Sequence, residues 1–216
     1  LMADDLFVRV GQKMQPTAKA RALAGPVRTA LSQAQNAIQA TDCFDPKTAE
    51  RVFRLGVTGE MDMILLPVLL RHLQHEAPGL KILSRTITAE TVDHMINGGE
   101  IDVAIGCKSQ LKSGNFGEVL FNSEVACCFN PDILDLTVPL SREAYLASRH
   151  AVLSQTENVA GCVGVALQGM GIELDVVLAA PDFMPLLAAA RNSAVIATVP
   201  NRIATQYASL FGLSYG

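Results

Sequence analysis

No run of apolar residues in this chain approaches the roughly 20 that a helix needs to cross a bilayer, although half of the residues are hydrophobic. The apolar residues are scattered in short runs and mean hydropathy is positive, so no membrane partner is expected and disorder is excluded. A secretory signal is also lacking: Leu1-Met2-Ala3-Asp4-Asp5 carries two acids where a signal carries bases, and export is not expected. Opening at Leu1 rather than Met, the chain reads as a shortened one. The five cysteines (Cys43, Cys107, Cys127, Cys128, Cys162) show no C-x-x-C spacing and no histidine at zinc-ligand distance. An odd count without a framework indicates reduced thiols and a cytoplasmic setting; Cys127 and Cys128, in an apolar run, read as core. Nor is there an excess of positive charge. Seventeen basic against 21 acidic residues leave a net charge of −4, which argues against strong nucleic-acid binding by this piece.

Catalytic signatures are missing too. There is no G-x-S-x-G elbow, and no Ser or Cys has an evident His and acid partner. Gly106-Cys107-Lys108-Ser109 imitates the end of a phosphate loop without the earlier glycine. His72 and His75, three apart beside Glu76, have a spacing that can hold a metal, but no third ligand is near in sequence, so they read as a solvated helix face. Neither an enzyme, nor a cofactor, nor a metal site is expected.

A chain of 216 residues can build one large or two small domains with real cores. From Thr17 to about Ala40 it is rich in Ala, Gln and Leu. Pro16 precedes a helix start with Thr17 as N-cap. Leu23, Val27, Ala30, Ala34 and Ala37 recur at alternating spacings of four and three, with Ile38 beside them. So narrow a seam predicts a partner helix, unless the helix simply packs on its own domain. Pro26 should bend its axis. Basic residues concentrate here: up to Gln35 there are Arg9, Lys13, Lys19, Arg21 and Arg28 against only Asp4 and Asp5, so the positive field is local. Asp42–Lys47 reads as a linker.

Strands then alternate with helices. Strands are predicted over Arg51–Thr58, Leu80–Ile87 and Ile101–Gly106, with helices over Gly59–Glu76 and Thr88–Asn97, the latter closed by Gly98-Gly99. This βαβαβ order demands a parallel sheet with helices on both faces. After a polar loop over Lys108–Gly114, a strand-rich stretch spans Phe116–Phe129. Further on, helices are expected at Ser141–Arg149, Asn158–Gln168, Asp182–Ala190 and Arg202–Leu210. Strands are expected at Ala151–Ser154, Ile172–Ala179 and Val195–Val199. Two α/β lobes of similar size follow one another without a sequence repeat.

Several of these stretches together resemble LysR-type bacterial transcription regulators. Leu6-Phe7-Val8-Arg9, Gly11, Lys13-Met14-Gln15-Pro16-Thr17 and Ala20 match the family's wing and linker entry. Phe53-x-Leu55-Gly56, Leu65-Leu66-Pro67, Ala77-Pro78 and Gly99–Gly106 stand in the family's order. So do Glu143–Leu146, Arg149-His150, Ile196–Pro200 with Arg202, and Phe211-Gly212-Leu213, which resemble the branch that senses nodulation signals and aromatic compounds. The resemblance covers nearly the whole chain. It implies an α/β fold of two Rossmann-like lobes, of type II periplasmic-binding-protein architecture, behind a long linker helix. The expected divisions are 1–16, a remnant of a DNA-binding wing; 17–42, a dimerisation helix; 51–121, lobe one; and 122–216, lobe two. The family's helix-turn-helix precedes the wing, so this piece is not expected to read DNA sequence. The family's chain finally returns to lobe one, which implies an incomplete first lobe here.

The implied function is that of the sensing and dimerising part of such a regulator. A small organic effector, of a class that includes aromatic compounds, would bind between the lobes and modulate promoter binding by a homodimer or homotetramer. The rival is a periplasmic solute-binding protein of the same fold. Parallel α/β sheets place ligands at strand C-terminal ends, here Thr58-Gly59-Glu60-Met61, Thr86-Ile87-Thr88 and Gly106-Cys107. Thr58 and Thr88 serve equally well as helix N-caps. Glu60, in a first helical turn with Asp62 following, would repel a ligand carboxylate, or else simply points to solvent. The resemblance adds His150 and the loop Asp182-Phe183-Met184. Many relatives in this branch carry His-Phe where Asp182-Phe183 stands, a departure that argues against a shared aromatic-acid ligand. It also sets Arg9 and Lys13 where the wing would approach phosphates, and Leu23, Val27, Ala30 and Ala34 at the dimer seam.

Overall fold

The computed structural model describes residues 5–39, 44–106 and 117–216. Backbone contacts divide the chain into two units. One comprises Leu1–Val57 with Arg71–Phe116, the other Thr58–Leu70 with Gly117–Gly216.

The first unit opens with a hairpin of β1 (Phe7–Val10) and β2 (Lys13–Pro16), in which Val10 pairs with Lys13. The two-residue turn is Gly11-Gln12. Gly11 has φ +65 and no described non-glycine residue has positive φ, so the turn is of the glycine-first kind whose twist suits a hairpin. Thr17 then caps the predicted helix, α1 (Ala18–Gln39). Its hydroxyl oxygen accepts from the Ala20 N–H at 3.2 Å and its proton goes to the Asp5 carbonyl at 3.1 Å. Val27, Ala30 and Ala34 on this helix are exposed and Leu23 half-buried. Leu31, one turn beyond Val27 and left out of the predicted seam, is 60% exposed. The side chains of Ala37 and Ile38 lie outside the described residues, as do Asp42 and Cys43.

The rest of this unit is a parallel sheet of β3 (Val52–Val57), β4 (Lys81–Thr86) and β5 (Val103–Ile105) in the order β4-β3-β5. The expected parallel pairing is present. Gly56, in the central strand, has no room for a side chain: a Cβ there would lie 2.5 Å from Ile101 Cδ1 and 2.8 Å from Ile87 Cγ2. The small core of Ile87, Val92 and Ile101 therefore closes over bare backbone. The helix expected from Thr88 starts later, as α4 (Val92–Asn97). Thr88 and Thr91 form a turn of their own, with the Thr88 N–H donating to Thr91 Oγ1 at 3.0 Å.

The single helix predicted over Gly59–Glu76 is broken into α2 (Gly59–Ile64) and α3 (Leu66–Glu76). Proline at position 67 has no N–H to return to the carbonyl four residues back, which belongs to Met63. That oxygen instead accepts the Tyr207 hydroxyl at 2.6 Å, and Met63 and Ile64 pack against the second unit's core. Residues 58–70 thus belong to the second unit by contact, whereas the expected lobe one ran unbroken over 51–121.

The second unit is built on a five-stranded sheet, β10-β6-β9-β7-β8. Its parallel strands are β7 (Arg149–Leu153), β8 (Asp175–Ala180) and β9 (Ile196–Pro200). β6 (Val125–Phe129) runs antiparallel beside β9, and β10 (Ser214–Tyr215) antiparallel beside β6. The strand-rich stretch expected from Phe116 is a strand only from Val125. The order β8-β7-β9 repeats β4-β3-β5, with the first-made strand central in each. Helices α5 (Arg142–Ala147), α6 (Gly161–Gln168), α7 (Phe183–Asn192) and α8 (Asn201–Tyr207) complete it. Leu186 and Leu187 of α7, Ile196 and Val199 of β9 and Ile203 of α8 are among the residues fully enclosed.

Candidate ligand site

In the first unit the predicted residues gather at the C-terminal edge of the sheet. Val57 pairs with Thr86 on one side and Ile105 on the other, so Thr86 and Gly106 flank the exit of β3. Ile87 is 1% exposed and donates its N–H to the Val57 carbonyl at 3.0 Å; it supports this edge from within the core. Thr88 spends its hydroxyl on the turn with Thr91, at 3.2 Å. Cys107 lies outside the described residues, as does the loop over Lys108–Gly114.

In the second unit, Thr58 stands at the N-cap of α2 in extended conformation, but its side chain makes no cap hydrogen bond. Its hydroxyl is therefore not used in ending the helix. A Cβ on Gly59 would lie 3.3 Å from Asp182 Oδ1 and 3.9 Å from Phe183 Cδ2. The start of α2 and the start of α7 are thus side by side, and a side chain at position 59 would press on the Asp182 carboxylate. Asp182 is exposed, likewise makes no side-chain cap bond, and follows β8. Met184 is 46% exposed, whereas Phe183, at 6%, is part of the core.

Glu60 does not simply point to solvent. Its Oε1 accepts the Ser123 hydroxyl at 3.1 Å. Partial burial pushes its carboxyl above the ordinary range, opposed by the Ser123 hydrogen bond and the positive charge of Arg202. The Arg202 guanidinium carbon sits 3.7 Å over the Phe121 ring, a cation–π stack. Arg202 follows β9 as Asp182 follows β8, so the strand-end rule that selected Thr58 could have selected it. Phe121 and Ser123 carry no such signal, because residues 117–124 form neither helix nor strand.

His150 needs correction. It is fully enclosed, its Nε2 is 2.9 Å from the Tyr145 carbonyl, and its ring lies 4.5 Å from that of Tyr145. It is also at the wrong end of the sheet: β7 begins at Arg149, and Leu153, not His150, is level with Ala180 at the edge that Asp182 follows. The resemblance placed it at a strand start, and parallel sheets bind at strand ends. Beside this edge, an open groove of about 460 Å³ runs between α2–α3 and α8. Its apolar wall is Met61, Ile64, Leu65, Val68 and Phe121; its polar wall is Asn201, Arg202, Thr205 and Gln206.

Two α/β units with the same central-strand order and polar groups at their strand ends define a ligand-binding domain of the periplasmic-binding-protein kind. The family model for the LysR substrate binding domain matches residues 47–212, and the chain belongs to that family. NagR of Ralstonia sp. and NahR of Pseudomonas putida, both HTH-type transcriptional activators, are each 31% identical over 213 residues, covering 99% of this chain and 71% of theirs. Nodulation protein D 3 of Rhizobium leguminosarum bv. phaseoli is 28% identical over 204 residues, covering 93% of this chain and 66% of its own length. A solved structure of the probable transcriptional regulator PA0477 from Pseudomonas aeruginosa superposes with a TM-score of 0.76 at 28% identity, covering 98% of this chain and 71% of that one. The expected family, fold and branch are therefore borne out. The chain carries the substrate-binding, regulatory part of a LysR-type regulator, and its relatives are transcription regulators rather than solute-binding proteins. Among the described residues, no helix is long and apolar enough to cross a membrane.

Proposed function

We propose that this chain senses a small organic effector at its strand ends and passes that binding to promoter DNA held by a helix-turn-helix of the full-length protein, as a cytoplasmic homo-oligomer without catalytic activity. The observation that carries the reading is the junction in the second unit. There Gly59, between the uncommitted Thr58 hydroxyl and the hydrogen-bonded Glu60, comes against Asp182, with Met184 exposed two residues further along. A site needs a few oriented polar groups and some apolar surface; Thr58, Glu60 and Asp182 supply the former and Met184 the latter. In the first unit the corresponding strand end is flanked by Thr86 and Gly106. Glu60, already bound to Ser123, favours a ligand that presents a hydroxyl or neutral group. An effector acts only through its difference in affinity between two states of the protein, a coupling of typically ~1–3 kcal/mol.

The test is a promoter–reporter strain carrying the full-length regulator, screened with a panel of phenols and small aromatic acids. The double variant Thr58→Val, Met184→Ala should reduce the response to any inducing compound by about tenfold, the value of a little over one kcal/mol, while uninduced DNA affinity stays unchanged. A double variant that responds like the parent would rule out this edge as the effector site.

A further inference from the structure

The strand-end junction uses only one side of α2. Residues two apart on a helix point to nearly opposite sides, so while Gly59 faces Asp182 and Phe183, Met61 lines the groove beside α8. Met61 and Ile64 on α2, Leu65 at the break and Val68 on α3 stand at i, i+3, i+4 and i+7 and together supply a hydrocarbon wall. The facing wall is of another character. Arg202 is its only charged member, and its guanidinium carbon lies 3.7 Å from the centre of the Phe121 ring. Among the described residues, no hydrogen bond or ion pair engages that guanidinium. Glu60, the acid whose carboxyl feels its charge, gives its hydrogen bond to Ser123 and does not line the groove. Asn201, Thr205 and Gln206 add neutral hydrogen-bonding groups, and no carboxylate is present on either wall. At about 460 Å³ the space is of the size that small-molecule sites occupy.

We propose that this groove is a second ligand site, separate from the strand-end junction, for a small amphipathic carboxylate whose hydrocarbon body lies on Met61, Ile64, Leu65 and Val68 and whose carboxylate pairs with Arg202. A guanidinium fork matches a carboxylate with two parallel hydrogen bonds, and the cation–π contact with Phe121 restrains the Arg202 side chain beside the groove. The position gives the site a means of acting on the protein. Its walls come from α8 and from both segments, 58–70 and 117 onward, by which the chain passes into the second unit. A ligand seated there braces those two segments against α8.

The experiment is methyl NMR on the full-length protein carrying ¹³C-methyl methionine, titrated with sodium benzoate and sodium hexanoate, with benzyl alcohol as the uncharged comparison. Both carboxylates should shift the Met61 methyl and leave that of Met184 in place, and benzyl alcohol should bind about tenfold or more weakly. Arg202→Gln should weaken the carboxylates by about the same factor and equalise the three probes. Val68→Trp, at a half-exposed position, should fill the groove and abolish the shift. Thr58→Val with Met184→Ala should leave the titration unaltered, which separates this site from the effector site proposed above. No Met61 shift at millimolar carboxylate, or a titration indifferent to Arg202→Gln and Val68→Trp, overturns the proposal. So does a dimer that Val68→Trp dissociates while Met61 stays silent, because the groove would then be covered by a second copy.

Discussion

His150 is a neutral histidine in a place built for one. Its Nε2 faces the Tyr145 carbonyl, so Nε2 carries the proton, and Nδ1 is buried without a hydrogen-bond partner. Protonating Nδ1 would bury a charge and a donor that nothing accepts. Burial therefore holds the imidazole below its ordinary value of 6.5, against the opposing pull of the Tyr145 carbonyl and the Asp175 carboxylate. Because the folded-state pKa is lowered, the unfolded chain takes up a proton first as pH falls. The stability present above 6.5 is lost as pH drops through the folded-state pKa, by at most about 1.4 kcal/mol per pH unit. Urea unfolding at pH 7.5 and at pH 5.5 should show a greater loss of stability for the parent than for His150→Phe; equal losses would contradict this account. Phe183 is a second residue whose position changes what a substitution means. It sits in the core with Leu186 and Leu187, so Phe183→Ala should cost ~3–5 kcal/mol. A thermal melt should register it. An unchanged midpoint would show that the ring is dispensable to packing, and only then would a lost effector response implicate it in binding.

At the scale of elements, periodicity and punctuation were legible where packing follows them. The Pro16-Thr17 start, the parallel β3, β4 and β5, and α7 from Asp182 stand where spacing put them, within a few residues. The departures have local causes. The helix predicted over Gly59–Glu76 runs through Pro67, whose effect depends on a hydroxyl from α8 that no local pattern announces. Two-residue β10 is too short to show a period at all, and Ser123 lies on irregular backbone, so the partner of Glu60 could only be found in three dimensions. His150 was decidable in principle, since a strand beginning at Arg149 puts it far from a C-terminal edge. On α1 the seam widens to include Leu31, so Leu23, Val27 and Leu31 form a stripe four residues apart, with Val27 and Leu31 47% and 60% exposed. A dimer through α1 should weaken in Leu23→Asp, Val27→Asp, because each aspartate would bring a charge into an apolar helix–helix contact. Sedimentation equilibrium of the full-length protein should show the dissociation constant rising by tenfold or more, about 1.4 kcal/mol. An unchanged dimer would place the association elsewhere.

Over the whole molecule, charge and topology are unevenly distributed. Arg9 and Lys13 are exposed on the hairpin strands, and Arg9 Nε donates to the Gly11 carbonyl at 3.2 Å, which leaves its terminal amino groups for phosphate. Backbone contacts of this kind carry no sequence information. Arg9→Ala in the full-length regulator should therefore weaken operator and random DNA alike, and should reduce the salt slope of binding by roughly one unit. A loss confined to operator, in a fluorescence titration across salt, would assign Arg9 to base reading instead. The bond from Tyr207 to the carbonyl that Pro67 leaves open spans 144 residues of sequence. A ribosome extends a chain from its N-terminus at about 5–20 residues per second. The break in the α2–α3 stretch is therefore translated roughly 7–30 s before the phenol that completes it. During synthesis that carbonyl is served by water until α8 emerges, which makes the nascent second unit a candidate client for a chaperone at the tunnel exit.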